Sequence, residues 1–239
     1  MNHILELTGV KKRFVGCEAL RGVDMTIYEG QIVGLLGPNA SGKTTLLKTI
    51  AGLLQPSDGQ IQYFGGAAPG PDARLTVSFC PDALTFPRWM RIRDAFTFYK
   101  DMYPDFKQER ADELARILDL RDNMSASVRS LSKGMKERLA LALTFSRETR
   151  LYLLDEPLDG IDPVGKTLVI EAILAMQPDG ASTLISTHLV KDIERIFASV
   201  YFLSKGQIIY SGVCDVIREE HGVTVEQKYL EVFINEGSI

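Results

Sequence analysis

Apolar positions along this chain follow two rhythms that take turns. Short unbroken runs read as buried strands, and stretches with an apolar residue every third or fourth place read as helices. Strand-like runs stand at residues 4–7 and 25–28, with turn residues between them, and then at 32–36. A helix follows and stops near Gly52, after which Pro56-Ser57-Asp58-Gly59 turns into a strand at 60–64. Residues 77–79 form one more short buried run. From Leu84 to Arg147 the rhythm is helical, with Ile92, Phe96, Tyr99 and Tyr103 on one face. A second helix is expected after Pro104, with Asp105 as its N-cap and Leu114, Ile117 and Leu118 inside. A third runs from Ser132 to about Arg147, with Met135, Leu139 and Leu143 four apart. Strands resume at 151–154, 183–187 and 200–203, the last joined to 207–210 through a Ser204-Lys205-Gly206 hairpin.

Strand–helix alternation around a helical insert predicts an α/β fold: a mostly parallel sheet, a small antiparallel β region at the front and a helical subdomain in the middle. The expected division of residues 1–239 is a β subdomain with the first part of the core at 1–83, a helical subdomain at 84–148, the rest of the core at 149–211 and a short tail at 212–239. The tail has room for one or two helices and holds no recognisable regulatory domain.

Composition narrows this only a little. With 239 residues, 45% hydrophobic and 24% charged, the chain is an ordinary globular length with ample core. A net charge of −4 argues against broad attraction to nucleic acid or anionic lipid, so no nucleic-acid partner is expected. Cys17, Cys80 and Cys214 lack metal-ligand spacing and read as reduced thiols. Their odd number, and the absence of a signal-peptide pattern at Met1-Asn2-His3-Ile4-Leu5-Glu6, point to a reducing compartment. No uninterrupted apolar run reaches about 18 residues, so any membrane role is expected to come through a partner. His3 and His221 read as surface residues.

The chemistry begins after the 32–36 strand. Gly37-Pro38-Asn39-Ala40-Ser41-Gly42-Lys43-Thr44-Thr45 fits GxxxxGK[ST], and Leu46, Leu47 and Ile50 continue it as a helix. A glycine-rich turn between a buried strand and a helix start aims backbone N–H groups at one anion, and the helix terminus adds partial positive charge. Lys43 is placed to reach the β- and γ-phosphates of a nucleoside triphosphate, and the Thr44 hydroxyl to ligate Mg²⁺. The apolar run at 151–154 ends in Asp155 and Glu156. A parallel strand beside the phosphate-loop strand would deliver both to the sheet edge where ligands bind. There Asp155 would support Mg²⁺ through its water shell, and Glu156 would polarise a water for attack on the γ-phosphate.

Two further residues carry a plain and a sharper reading. Ser132, at the start of the third helix, reads as an N-cap, or, with the Gly134 backbone, as a second anion site. That second site lies outside the phosphate-loop subdomain, so a second chain would bring it to the same nucleotide most easily. His188, directly after the 183–187 strand, is either incidental or a third strand end meeting the γ-phosphate.

These pieces, in this order, resemble the nucleotide-binding subunits of ATP-binding cassette (ABC) transporters over nearly the whole chain. Leu131-Ser132-Lys133-Gly134-Met135 is similar to the family's LSGGQ signature, with Lys133 and Met135 departing from it. Asp159-Gly160-Ile161-Asp162 before Pro163 resembles its D-loop, and His188 its switch histidine. Phe14, ahead of Ala19-Leu20, matches the aromatic that stacks on adenine, and Asp82 stands where the Q-loop has Gln, a contact to Mg²⁺ and water. No NKxD guanine-reading motif occurs.

The resemblance implies a P-loop NTPase (RecA-like) core that hydrolyses ATP with Mg²⁺. It also implies a sandwich of two such chains, identical or paralogous, in which one chain's phosphate loop and the other's Ser132 helix hold each ATP. Phe98-Tyr99-Lys100-Asp101-Met102-Tyr103-Pro104-Asp105 before an amphipathic helix is similar to bacterial exporter-type subunits. In these a separately encoded transmembrane permease is the partner, and the ATPase sits in the cytoplasm against the inner membrane face. Trp89 has two readings, core packing or part of an apolar groove for that partner, and Phe86 leans toward the groove. The runner-up function is a soluble ABC ATPase of an assembly system, such as iron–sulfur cluster biogenesis.

Overall fold

The computed structural model describes residues 2–64, 66, 76–83, 86–87 and 89–236, without the side chains of Glu220 and His221. The expectations for Leu84, Thr85, Arg88 and the His221 side chain lie outside the described residues.

Two sheets organise the chain. β1 (His3–Phe14), β2 (Cys17–Tyr28) and β4 (Asp58–Tyr63) form an antiparallel sheet in the order β2-β1-β4. β3 (Ile32–Leu36), β5 (Val77–Cys80), β6 (Leu151–Asp155), β7 (Ser182–Thr187), β8 (Ser199–Ser204) and β9 (Gln207–Val213) form the second, ordered β5-β6-β7-β3-β8-β9. All its pairings are parallel except β8–β9, the expected hairpin.

β1 and β2 run well beyond the runs their apolar residues predict. The reason is a register shift between Leu7 and Val10, where Gly9 sits at φ +57° and donates its N–H to Asp24 at 2.7 Å. Such a bulge resets the two-residue period, so alternation counted along the sequence stops at it.

One expectation about the sheet needs correcting. β6 is not beside the phosphate-loop strand β3, because β7 lies between them. The effect is to line up three strand ends, those of β6, β7 and β3, along one edge.

Alternation across the large sheet separates two cores. On β6, Leu151 and Leu153 face α1 (Lys43–Ile50) and the antiparallel sheet, whereas Tyr152 and Leu154 face the helices on the other side. Those helices are α2 (Ile92–Met102), α3 (Gln108–Ile117), α4 (Lys133–Phe145) and α5 (Pro163–Met176), followed by the short α6 (Val190–Ile193). α4 is the central one, buried along Leu139, Ala140, Leu141, Ala142, Leu143, Thr144 and Phe145.

Asp105 does not cap α3, whose N-cap is Lys107. Its carboxylate instead takes the Arg147 guanidinium on both oxygens, Nε–Oδ1 at 3.0 Å and Nη2–Oδ2 at 2.9 Å. Arg147 also donates to the Val77 carbonyl at 3.0 Å and lies 4.0 Å from the Tyr103 ring centroid. A fork-to-fork pair of this kind pins the start of the helical segment to edge strand β5.

The C-terminal stretch is core rather than appendage. β9 runs through the expected boundary at 212, and α7 (Cys214–His221) and α8 (Val225–Asn235) bury Cys214, Ile217, Val225, Tyr229 and Phe233. Phe202, Tyr229 and Phe233 stack with centroids 4.4–6.2 Å apart. Burial pushes the Cys80 thiol up to about 12 and the Cys214 thiol to about 11, so both stay protonated; Cys17 is exposed.

Candidate functional site

The loop at 37–42 is shaped by contacts that only glycine permits. A Cβ on Gly37 would lie 2.3 Å from the Leu203 carbonyl oxygen, and one on Gly42 would lie 2.8 Å from that of Ala19. Gly42 is also at φ +111°, in the left-handed region. It is the N-cap of α1, and no side chain caps that helix, so its first N–H groups stay open to an anion. Gly206 N–H to the Ser41 carbonyl, 2.9 Å, ties the loop to the β8–β9 turn.

Lys43, at 5% exposed, is buried within this cradle. Its Nζ donates to the carbonyls of Gly37 at 2.8 Å and Pro38 at 3.1 Å, and sits 3.0 Å from Glu156 Oε1. The other Glu156 oxygen is 3.0 Å from His188 Nδ1 and accepts the His188 backbone N–H at 3.3 Å. Three strand ends therefore meet at one carboxylate. Glu156 holds φ +50°, an uncommon conformation for a glutamate, and is kept there by its N–H bonds to the Ser186 carbonyl and hydroxyl at 3.0 and 3.2 Å.

Asp155 is buried beside it. Burial pushes its carboxyl above the usual range, and the Ser186 hydroxyl, donating to Oδ1 at 2.6 Å, pulls it back. Among the described residues its second oxygen, Oδ2, is buried with no hydrogen-bond partner, as is Ser41 Oγ in the loop. A buried carboxylate oxygen without a donor suits a hard cation such as Mg²⁺, so this donor set fits one. Ser186, which holds the Asp155 carboxylate and the Glu156 backbone N–H, has a hydroxyl inside the 183–187 strand as its only sequence signal.

A cleft of about 450 Å³ opens over these groups. It is lined by residues 39–45, Asp82 and Glu156, and also by Cys17, Glu18, Ala19 and Arg21 of β2 and by Lys205 and Gly206. Asp82 is thus brought to the loop. Phe14 is paired with Cys17 at the hairpin tip, its ring about half exposed with Lys12 Nζ 5.2 Å above it.

Ser132, Gly134 and Asp162 do not line the cleft. Ser132 caps α4, its hydroxyl accepting from Met135 N–H at 3.2 Å, and a Cβ on Gly134 would meet nothing within 4 Å. Asp162 caps α5, and the N–H groups of Gly165 and Val164, both at 3.0 Å, hold its carboxyl below the usual range.

The core reading of Trp89 is overturned: it is 72% exposed. Phe86 goes the other way and is partly buried against the helical core. Phe98 and Met102 on α2 are exposed as well.

Residues 20–159 match the ABC transporter family. This chain belongs to that family. It is 31% identical to the Nod factor export ATP-binding protein I of Cupriavidus pinatubonensis, over 95% of this chain and 71% of that protein. To the ABC transporter ATP-binding protein NatA of Bacillus subtilis it is 30% identical, over 90% of this chain and 92% of that protein. A solved structure described as the ATP-binding subunit of an ABC transporter superposes with a TM-score of 0.85 at 27% identity, covering 96% of this chain and 99% of that one. The chain spans between 60% and 92% of the length of the curated relatives it matches.

The ABC ATPase is therefore an ATP-binding, ATP-hydrolysing subunit of a kind that dimerises and partners with membrane components. The relatives support transport and give no support to the iron–sulfur assembly reading. Among the described residues no helix is long and apolar enough to cross a membrane.

Proposed function

We propose that this ABC ATPase hydrolyses Mg²⁺-ATP in a site shared by two chains and so drives a separately encoded permease, in an export system, from the cytoplasmic face of the membrane. The observation that carries the hydrolytic part is the Glu156 carboxylate bracketed at 3.0 Å by Lys43 and 3.0 Å by His188, next to the phosphate loop. When a triphosphate enters the loop, Lys43 exchanges its carboxylate partner for phosphate oxygens and Glu156 is released to polarise a water. His188 keeps Glu156 oriented and faces the γ-phosphate. Thr44, Asp155 and Asp82 would hold the Mg²⁺, which supplies charge neutralisation at the transferring phosphoryl group. The half-exposed Phe14 ring offers its face to adenine.

Ser132 and Gly134 complete the nucleotide site of the second chain, with Asp162 at the junction between the chains. Their place at the starts of α4 and α5, on elements other than the phosphate loop, supports this reading. The exposed Trp89, Phe98 and Met102 offer an apolar surface to the permease. Export follows the Nod factor relative, which is named for it. Glu156→Gln tests the hydrolytic assignment. It is expected to abolish turnover while ATP stabilises a dimer, visible by sedimentation. Normal turnover by this variant would contradict the role given to Glu156.

A further inference from the structure

Of the residues that depart from the family pattern, Lys133 in the signature and Asp82 in the Q-loop lie within electrostatic reach of one another. Lys133 is the first residue of α4, and its Nζ donates to Asp159 Oδ2 at 2.7 Å. The stem lies flat across the next turn: a Cβ on Gly160 would sit 2.6 Å from Lys133 Nζ, 2.7 Å from Cδ and 2.8 Å from Cε. Gly160, at φ +70°, thus makes room for this lysine. Asp159 in turn donates its N–H to the Glu156 carbonyl at 3.1 Å, so the turn it anchors hangs directly from the hydrolytic residue. The Lys133 ammonium holds the Asp159 carboxyl below the usual range, and His188 and Lys166 add to this.

Both ends of the pair are about half exposed, at 54% and 41%, so it adds little to the stability of the fold. Its effect is geometric. Among the described residues it is the one hydrogen-bonded ion pair between residues 132–137 and 156–162.

We propose that Lys133 is a positioning residue: through Asp159 it fixes the turn after Glu156 and so sets that carboxylate for hydrolysis in its own chain. Ser132, next to it, serves the nucleotide of the other chain, a step that rests on the shared-site reading above. The pair therefore carries closure on one nucleotide to the hydrolytic carboxylate facing the other.

A double-mutant cycle in steady-state ATP turnover tests this. Lys133→Met keeps the stem over Gly160 and removes the charge, and Asp159→Asn removes the acceptor charge. Each is expected to lower kcat about five- to tenfold with KM for ATP and melting temperature unmoved. The double variant should be no slower than the worse single, and Lys133→Arg should keep at least about half of kcat. Wild-type kcat in Lys133→Met, or a double-variant loss equal to the product of the two singles, would overturn the proposal. Ser132→Arg, assayed alongside, separates the two ideas. Normal turnover there would remove the shared site and the link between sites, while the result of the cycle would still decide the role of Lys133.

Discussion

The helix start at the phosphate loop and the helix start at Ser132 are built on opposite principles. At α1 the chain itself dictates the glycines, since a methyl group on Gly37 or Gly42 collides with the backbone of Leu203 or Ala19. Lys43 is buried there and the helix is left uncapped. At α4 nothing among the described residues requires Gly134, whose missing Cβ faces open space, and Ser132 already caps the helix. A glycine with no internal reason fits a place where another backbone or a ligand comes close. In the function proposed above, one region is complete within the chain and the other is completed by a second chain.

The sharpest way to break this contrast is at the loop. Lys43→Ala is expected to lower ATP turnover by about 10²–10³-fold, the scale seen when one preorganised donor to a developing charge is removed. Turnover within tenfold of wild type would remove the loop from the site. Gly37→Ala should cost on the order of 1–3 kcal/mol of stability from overpacking, read by urea denaturation, and abolish nucleotide binding. Gly134→Ala is its counterpart: unchanged or slightly raised stability, with turnover down about tenfold because a methyl group blocks the approach of the other chain. If Gly134→Ala unfolds like Gly37→Ala, the two starts are not different in kind.

The smallest effect concerns Glu137, one turn into α4. Burial raises its carboxyl from 4.5 to about 7, opposed by Lys133 and reinforced by Asp82 and Asp159. The folded protein therefore binds more protons than the unfolded chain between about pH 4.5 and 7, and stability falls as pH rises through that window. Glu137→Gln should remove this fall. It is expected to melt several degrees higher than wild type at pH 8 and alike at pH 4.5, by calorimetry.

Much of the site was legible because its chemistry is local in sequence. Residues 37–45 carry their own geometry, and Asp155 and Glu156 follow an apolar run that could only be a strand. Other features depend on partners far along the chain. Arg147 claims Asp105 across 42 positions, so an apparent helix cap is in fact a tether. Helix α5 is apolar nearly all round, and no period stands out along it. The placement of β7 between β6 and β3 is decided by helix packing on both faces, which strand composition does not record. Trp89 misleads for a different reason: burial is the usual fate of tryptophan, and here it stands exposed.

The central claim is that one chain binds ATP but two are needed to hydrolyse it. Ser132→Arg tests it most directly, because it leaves the cleft at 39–45, Asp82 and Glu156 untouched. The measurement pairs ATP affinity with turnover on the same preparation. The account predicts affinity for the loop within about twofold of wild type and turnover reduced at least about a hundredfold. Wild-type turnover in Ser132→Arg would contradict it.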